Sequence, residues 1–143
     1  DTLTLAMLKT LLLTVAATLV TALPAAAENW VFVTRSESGT EYFIDTESVQ
    51  SRDGIYLFWR MSVLAKPNEQ GILAQKTYVS MICPLRAWRQ QAIAYFNTRG
   101  ELVSREEFGE REPLQFFTSG SVGEGLWKFV CQEKNSSLFN HLG

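Results

Sequence analysis

The chain has 143 residues, 46% hydrophobic and 20% charged, with a formal net charge of −2, two cysteines and one histidine. That length suits one domain behind a leader. The near-balanced charge excludes a nucleic-acid or polyanion binder, which gathers basic residues on one face.

Met7 and Lys9 open an apolar run, Leu11 to Val20, that closes in Leu23-Pro24-Ala25-Ala26-Ala27. A cationic start, a short apolar segment and an Ala-x-Ala site are the parts of a secretory signal peptide. A start at Met7 and cleavage after Ala27 are the expectations. A membrane anchor needs about 20 predominantly apolar residues, more than this run supplies, so no integral membrane segment is expected after cleavage. The predicted organisation is a signal peptide over 1–27, a domain over 28–133 and a short tail over 134–143. Residues 1–27 hold one acid, Asp1, and one base, Lys9, so 14 acidic and 12 basic residues remain in 28–143. Export to an oxidising compartment lets Cys83 and Cys131 pair; two free thiols or an intermolecular bond are the alternatives.

Trp30-Val31-Phe32-Val33-Thr34 is aromatic and β-branched and reads as a strand. After the turn Ser36-Glu37-Ser38-Gly39 the chain returns through Thr40 to Ile44, an opening hairpin. Asp45-Thr46-Glu47-Ser48 is a capped turn, because Asp and Ser side chains satisfy nearby amides. Asp53-Gly54 marks a tight turn requiring positive φ. In Tyr56 to Ala65 the odd positions Leu57, Trp59, Met61, Val63 and Ala65 are all apolar, and that period of two predicts a strand with this face on the core. Lys66 to Gly71 breaks it. In the strand from Ile72 to Cys83, Leu73, Val79, Met81 and Cys83 share a face, which puts Cys83 on the core side. Pro84 predicts a bend. Arg86 to Phe96 is a further strand, turning at Asn97-Thr98-Arg99-Gly100 into Glu101 to Ser104, and Arg105 to Gly120 has no clear pattern. About six strands in consecutive hairpins are expected.

Ser121 and Glu124 have capping-box spacing and open a helix running to Cys131. Val122, Leu126, Trp127, Phe129 and Val130 share one broad side, suited to lying on a sheet. Glu124 and Lys128 fall on the other side, four apart and in the favourable order for an ion pair. Gly123 sits within the buried side; Gly125 is placed on the solvent side, where it weakens the helix by about 1 kcal/mol relative to alanine. A helix so weak depends on tertiary contacts. A Cys83–Cys131 bond would supply about 4 kcal/mol by the chain-entropy estimate, with Cys131 at the edge of the apolar side, so that the last turn unwinds to reach Cys83. The expected fold is α+β: an antiparallel sheet with one C-terminal helix packed on it and tethered by the disulfide.

No catalytic constellation appears, and no cofactor is expected. His141 stands alone near the terminus, without the cysteines or carboxylates that complete a metal site. Glu106, Glu107, Glu110 and Glu112 are interleaved with Arg105 and Arg111 and read as a solvated face rather than an acid/base pair, which needs burial. Ser119 and Ser121 have no base in reach and serve as turn and cap. Phe116 and Phe117 are either an exposed anchor for a partner or a packed pair, one over the sheet edge and one against the helix. The packed pair is the expectation, since uncovered aromatic area is a liability.

Trp30-Val31-Phe32-Val33, the run Gly39 to Asp45, Tyr78 leading to Cys83, the Tyr95 to Val103 hairpin, and Gly120-Ser121-Val122-Gly123-Glu124 ending at Cys131 together resemble the surface-adhesin protein E family of secreted bacterial envelope proteins. Leu114 and Ser119 depart from it, standing where Trp and Pro are expected. The resemblance implies an antiparallel sheet with a disulfide-tethered C-terminal helix. It also implies a non-catalytic, adhesin-like interaction domain in the periplasm, on the outer surface or outside the cell; the named adhesins bind host extracellular-matrix proteins. No partner-binding residues carry over by motif. The partner is expected to be a protein, met through the sheet face, an edge or the loops, with homodimerisation by edge pairing as one form. A small-ligand or inhibitor module is the alternative, and it requires an open apolar cavity.

Overall fold

A computed structural model describes residues 28–132. The segments expected to be signal peptide and tail, together with His141, lie outside the described residues. Strands β1 (Trp30–Arg35), β2 (Glu41–Asp45), β3 (Gln50–Arg52), β4 (Ile55–Val63), β5 (Ile72–Ile82), β6 (Ala87–Asn97), β7 (Leu102–Glu107) and β8 (Gln115–Phe116) form one antiparallel sheet. Its order, β1-β2-β4-β5-β6-β7, follows the chain, with β3 folded back onto β4 and β8 onto the start of β6. A short helix, α1 (Val122–Trp127), runs into a π-helical turn, Lys128–Gln132.

The turns explain this order. Asp53 and Gly54 both take positive φ, 52° and 78°, the geometry a two-residue hairpin requires, and they fold β3 onto β4. Asp45 accepts the Glu47 amide at 3.1 Å, while the Ser48 hydroxyl donates to the Asp45 carbonyl at 2.7 Å, closing the turn after β2. Cys83–Leu85 forms a 3-10 turn with Pro84 inside it, and Arg86 leaves it at φ 50°. A bulge in β6 frees the Gln91 carbonyl to accept the amides of Phe108 and Gly109 at 2.8 and 3.1 Å, which fixes the loop after β7. That strand reaches Glu107, so part of the segment without clear pattern is regular after all.

The core lies between the sheet and α1. Ile44, Phe58, Val79 and Met81 from the strands meet Leu126 and Val130 from the helical segment, all buried. Side chains alternate along a strand, so burial of Phe58 identifies the even positions of β4 as the covered face. This corrects the expectation from sequence. Leu57, Trp59, Met61 and Val63 point away from the helix, and none of them is buried. On β5 the expectation holds for Val79 and Met81, which are buried, and for Cys83, which packs against the core; Leu73 is only partly buried, and Ile72 is buried beside it at a register shift.

Several ties hold the helical segment along its length against Cys83 and Arg86. Cys83 and Cys131 form a disulfide, S–S 2.05 Å. Trp127 Nε1 donates to the Cys83 carbonyl at 3.0 Å, and Arg86 both pairs with Glu124 at 2.7 Å and lies over the Trp127 ring at 4.4 Å. Ser121 caps the start, its hydroxyl accepting the Glu124 amide at 3.1 Å. The box is only half formed, because the Glu124 carboxylate goes to Arg86 and to Lys128, 3.2 Å away. Gly125 does not face solvent: a Cβ there would touch Thr34 of β1 at 3.5 Å. The last turn widens into the π-turn, and that unwinding carries Cys131 to Cys83.

Candidate functional site

Among the described residues no helix or strand packs over the sheet face turned away from α1, which meets only the loop after β7 at Arg89 and is rich in aromatics. Register places Trp30 beside Asp45, Phe32 beside Phe43, Trp59 beside Tyr78, and Met61 beside Lys76. The Trp59 and Tyr78 rings are 5.1 Å apart and tilted by 36°; Phe32 and Phe43 meet edge-on at 5.7 Å. Phe32 remains 49% exposed.

Lys76 stands at the centre. Its ammonium lies 5.4 Å from the Trp30 ring centre and 5.3 Å from that of Phe96. Glu28 ties this arrangement together, accepting Trp30 Nε1 at 2.9 Å and Lys76 Nζ at 3.5 Å. The Trp30 hydrogen bond chiefly holds the Glu28 carboxyl below its ordinary value; desolvation opposes it and Lys76 assists. Trp30 is on β1 and Lys76 on β5, three strand positions away, roughly 14 Å in a flat sheet. Their contact requires long side chains on a sheet curled toward this face.

The curl creates two adjoining clefts. One, of about 320 Å³, is lined chiefly by Trp30, Trp59, Lys76, Phe96, Leu102 and Arg105; the other, about 350 Å³, by Glu28, Asp45, Glu47, Gln50, Trp59 and Tyr78. Glu28 and Trp59 border both. The first offers apolar walls with a fixed cation, the second a ring pair beside carboxylates. Such an arrangement can bind and orient a ligand or side chain.

The residues singled out in the sequence do not assemble into a reactive centre. Glu106, Glu107 and Glu110 are exposed; Arg105 pairs with Glu107 at 2.8 Å, and Arg111 donates to the Phe108 and Glu107 carbonyls. Ser119 lies exposed ahead of the helix, whose cap is Ser121. No group of three or more potential metal ligands occurs among the described residues. The Phe pair divides: Phe117 stacks on Trp88 at 6.4 Å and lies under Gly123, as expected of the packed member, whereas Phe116 is 67% exposed.

Sequence reasoning missed the aromatic face because it assigned that face to the core. The signal was present. β4 is apolar or aromatic on both sides, and one short helix covers only one of them.

The sequence pattern of the family described as surface-adhesin protein E matches residues 30–132. No curated protein matches the chain by sequence. Among solved structures, the fold is similar to the crystal structure of protein E from non-typeable Haemophilus influenzae, with a TM-score of 0.51 at 13% identity, covering 81% of this chain and 85% of that one. The family match spans most of the chain, and the chain belongs to the surface-adhesin protein E family.

Proposed function

We propose that this protein is an exported, adhesin-like interaction domain that binds a protein partner through the uncovered aromatic face of its sheet and catalyses no reaction. In this reading residues 1–27 direct export and 28–133 form the binding domain, placed in the periplasm, on the outer surface or outside a bacterial cell. Membership of an adhesin family supports the class of function. One observation carries the site: Trp30, Trp59, Tyr78 and Phe96 line a curled sheet face around Lys76, with no element over them among the described residues. Trp and Tyr dominate the energetics of protein interfaces because they bring large, stiff contact area with a polar tip.

The test is capture of partners from envelope and extracellular-matrix preparations by wild type, by Trp59→Ala/Tyr78→Ala, and by Lys66→Ala in the β4–β5 turn. A partner retained by wild type and Lys66→Ala but lost by the double variant supports the reading; equal capture by all three overturns it.

The 320 Å³ cleft favours a second reading, binding of a small, largely apolar ligand, since its size falls at the lower end of ligand pockets. Native mass spectrometry of protein purified without denaturation would detect a retained small molecule and decide for that reading.

A further inference from the structure

Three cations on the described residues lie over an indole ring, and two of them are completed by a carboxylate. Arg86, over Trp127 at 4.4 Å, pairs with Glu124 at 2.7 Å. Lys76, over Trp30 at 5.4 Å, pairs with Glu28 at 3.5 Å. The third is Arg60. Its guanidinium lies 5.0 Å from the Trp88 ring centre and 5.9 Å from that of Tyr42, yet no carboxylate of the described residues pairs with it.

Arg60 is also the most enclosed of the three. It stands on the helix side of the sheet, paired across β4 with Ile44 and Thr77, which are 0% and 1% exposed. Its Nε is sealed from solvent and has no acceptor among the described residues, while the residue as a whole is only partly buried. Burial pushes the guanidinium below its ordinary pKa, with the Tyr42 hydroxyl opposing that shift. Even so, arginine stays charged at neutral pH. A buried cation without a hydrogen-bonding anion is costly, and removing one partner of such a pair is strongly destabilising.

The flanking groups suit a planar anion. Guanidinium presents five N–H donors in one plane, matched to the two oxygens of a carboxylate. Two aromatic rings against the guanidinium restrict its rotation, and Trp88 is itself stacked on Phe117 with rings 14° from parallel. The fork is therefore oriented before any anion arrives.

We propose that Arg60, between Tyr42 and Trp88, is a receptor for a single carboxylate supplied by another molecule, as an acidic side chain or a chain terminus. This site is on the face opposite the aromatic clefts and does not depend on the function proposed for them.

The experiment is an NMR titration of the Arg60 Nε–Hε resonance in the folded wild-type protein with sodium acetate against sodium chloride at equal ionic strength. Thermal melts of wild type and Arg60→Met are run in the same two salts. Methionine keeps length and apolar packing, and such replacements of buried charge are generally tolerated. The expected result is a saturable shift with acetate only, and an acetate-dependent rise in Tm that Arg60→Met lacks. Two peptides, one C-amidated with an internal Glu and one without acidic side chains but with a free C-terminus, distinguish the sources. The preferred peptide should bind Arg60→Met about tenfold more weakly or worse. A resonance that responds equally to acetate and chloride overturns the proposal. So does an acetate effect that survives in Arg60→Met. Should that variant fail to fold, the wild-type titration still decides.

Discussion

Phe117 lies directly beneath Gly123, and a Cβ on that glycine would overlap its ring. Phe117 in turn stacks on Trp88, so the loop before the helix and the start of β6 press together at a helical position without a side chain. The second glycine, Gly125, meets Thr34 only at ordinary van der Waals distance. These two residues, alike in sequence, therefore have opposite roles. Gly123→Ala is expected to destabilise the protein by about 1–3 kcal/mol, the usual range for overpacking. Gly125→Ala should be neutral or stabilising by up to about 1 kcal/mol, because it relieves the glycine penalty within a helix. Urea melts of both variants check this; equal destabilisation would refute the distinction.

The disulfide closes a segment with sequence separation 48, for which chain entropy gives about 4 kcal/mol, a figure that depends on the model. Replacing Cys83 and Cys131 with alanine should lower the urea midpoint by a corresponding amount. The Trp127–Cys83 carbonyl bond and the Arg86–Glu124 pair remain in that variant, so the helix is expected to stay docked at low temperature and detach first on heating. Amide exchange would show 122–131 losing protection ahead of β4 and β5. The mass of the intact protein should rise by two hydrogen atoms on reduction, one for each thiol formed.

The six longer strands were legible because their turns are written in residues that leave little choice, as Asp53-Gly54 and Pro84 do, whereas the short strands β3 and β8 were not expected. The helix start was legible in Ser121, and its weakness in Gly123 and Gly125. What periodicity could not settle was which face of the sheet is inside. A period of two distinguishes the sides of β4 without saying which is covered, and here the side with the cleaner apolar alternation is the uncovered one. Phe58 wins the core through its cross-strand neighbour Val79 and through Ile44, Leu126 and Val130 in the same core cluster, all of which are distant in sequence. Arg60 was passed over for the same reason, as a polar interruption on an even position.

Glu124 links the helix to acid stability. The hydrogen bond from Lys128 is the main influence lowering its carboxyl pKa; desolvation opposes it, and the Gly120 backbone and Arg86 assist. A carboxyl whose folded value is depressed contributes stability above its ordinary value, near 4.5, and that contribution is lost as pH falls through the folded value. Glu124→Gln should thus reduce Tm at neutral pH and flatten its fall below pH 4.5, because less remains to be titrated. A Tm profile parallel to wild type across that window would show that the Arg86–Glu124–Lys128 cluster is not coupled to folding.

The aromatic face carries the prediction that bears most on function. Trp59 and Tyr78 contact each other across β4 and β5, and their row faces away from α1, so neither supports the helix core. Trp59→Ala and Tyr78→Ala should each cost modestly in stability, about 0.5–1.5 kcal/mol for the lost ring pair. Interface hot spots of this type lose about 2 kcal/mol or more on truncation, roughly thirtyfold in affinity. The two effects are separable: stability read by urea melts, partner affinity read by surface binding at a temperature well below either Tm. A variant that loses affinity in proportion to its fraction unfolded would assign these rings to folding alone. Loss of affinity in a fully folded variant would assign them to recognition, with Lys76 then the next residue to test, since its ammonium is already fixed between Trp30 and Phe96 by Glu28.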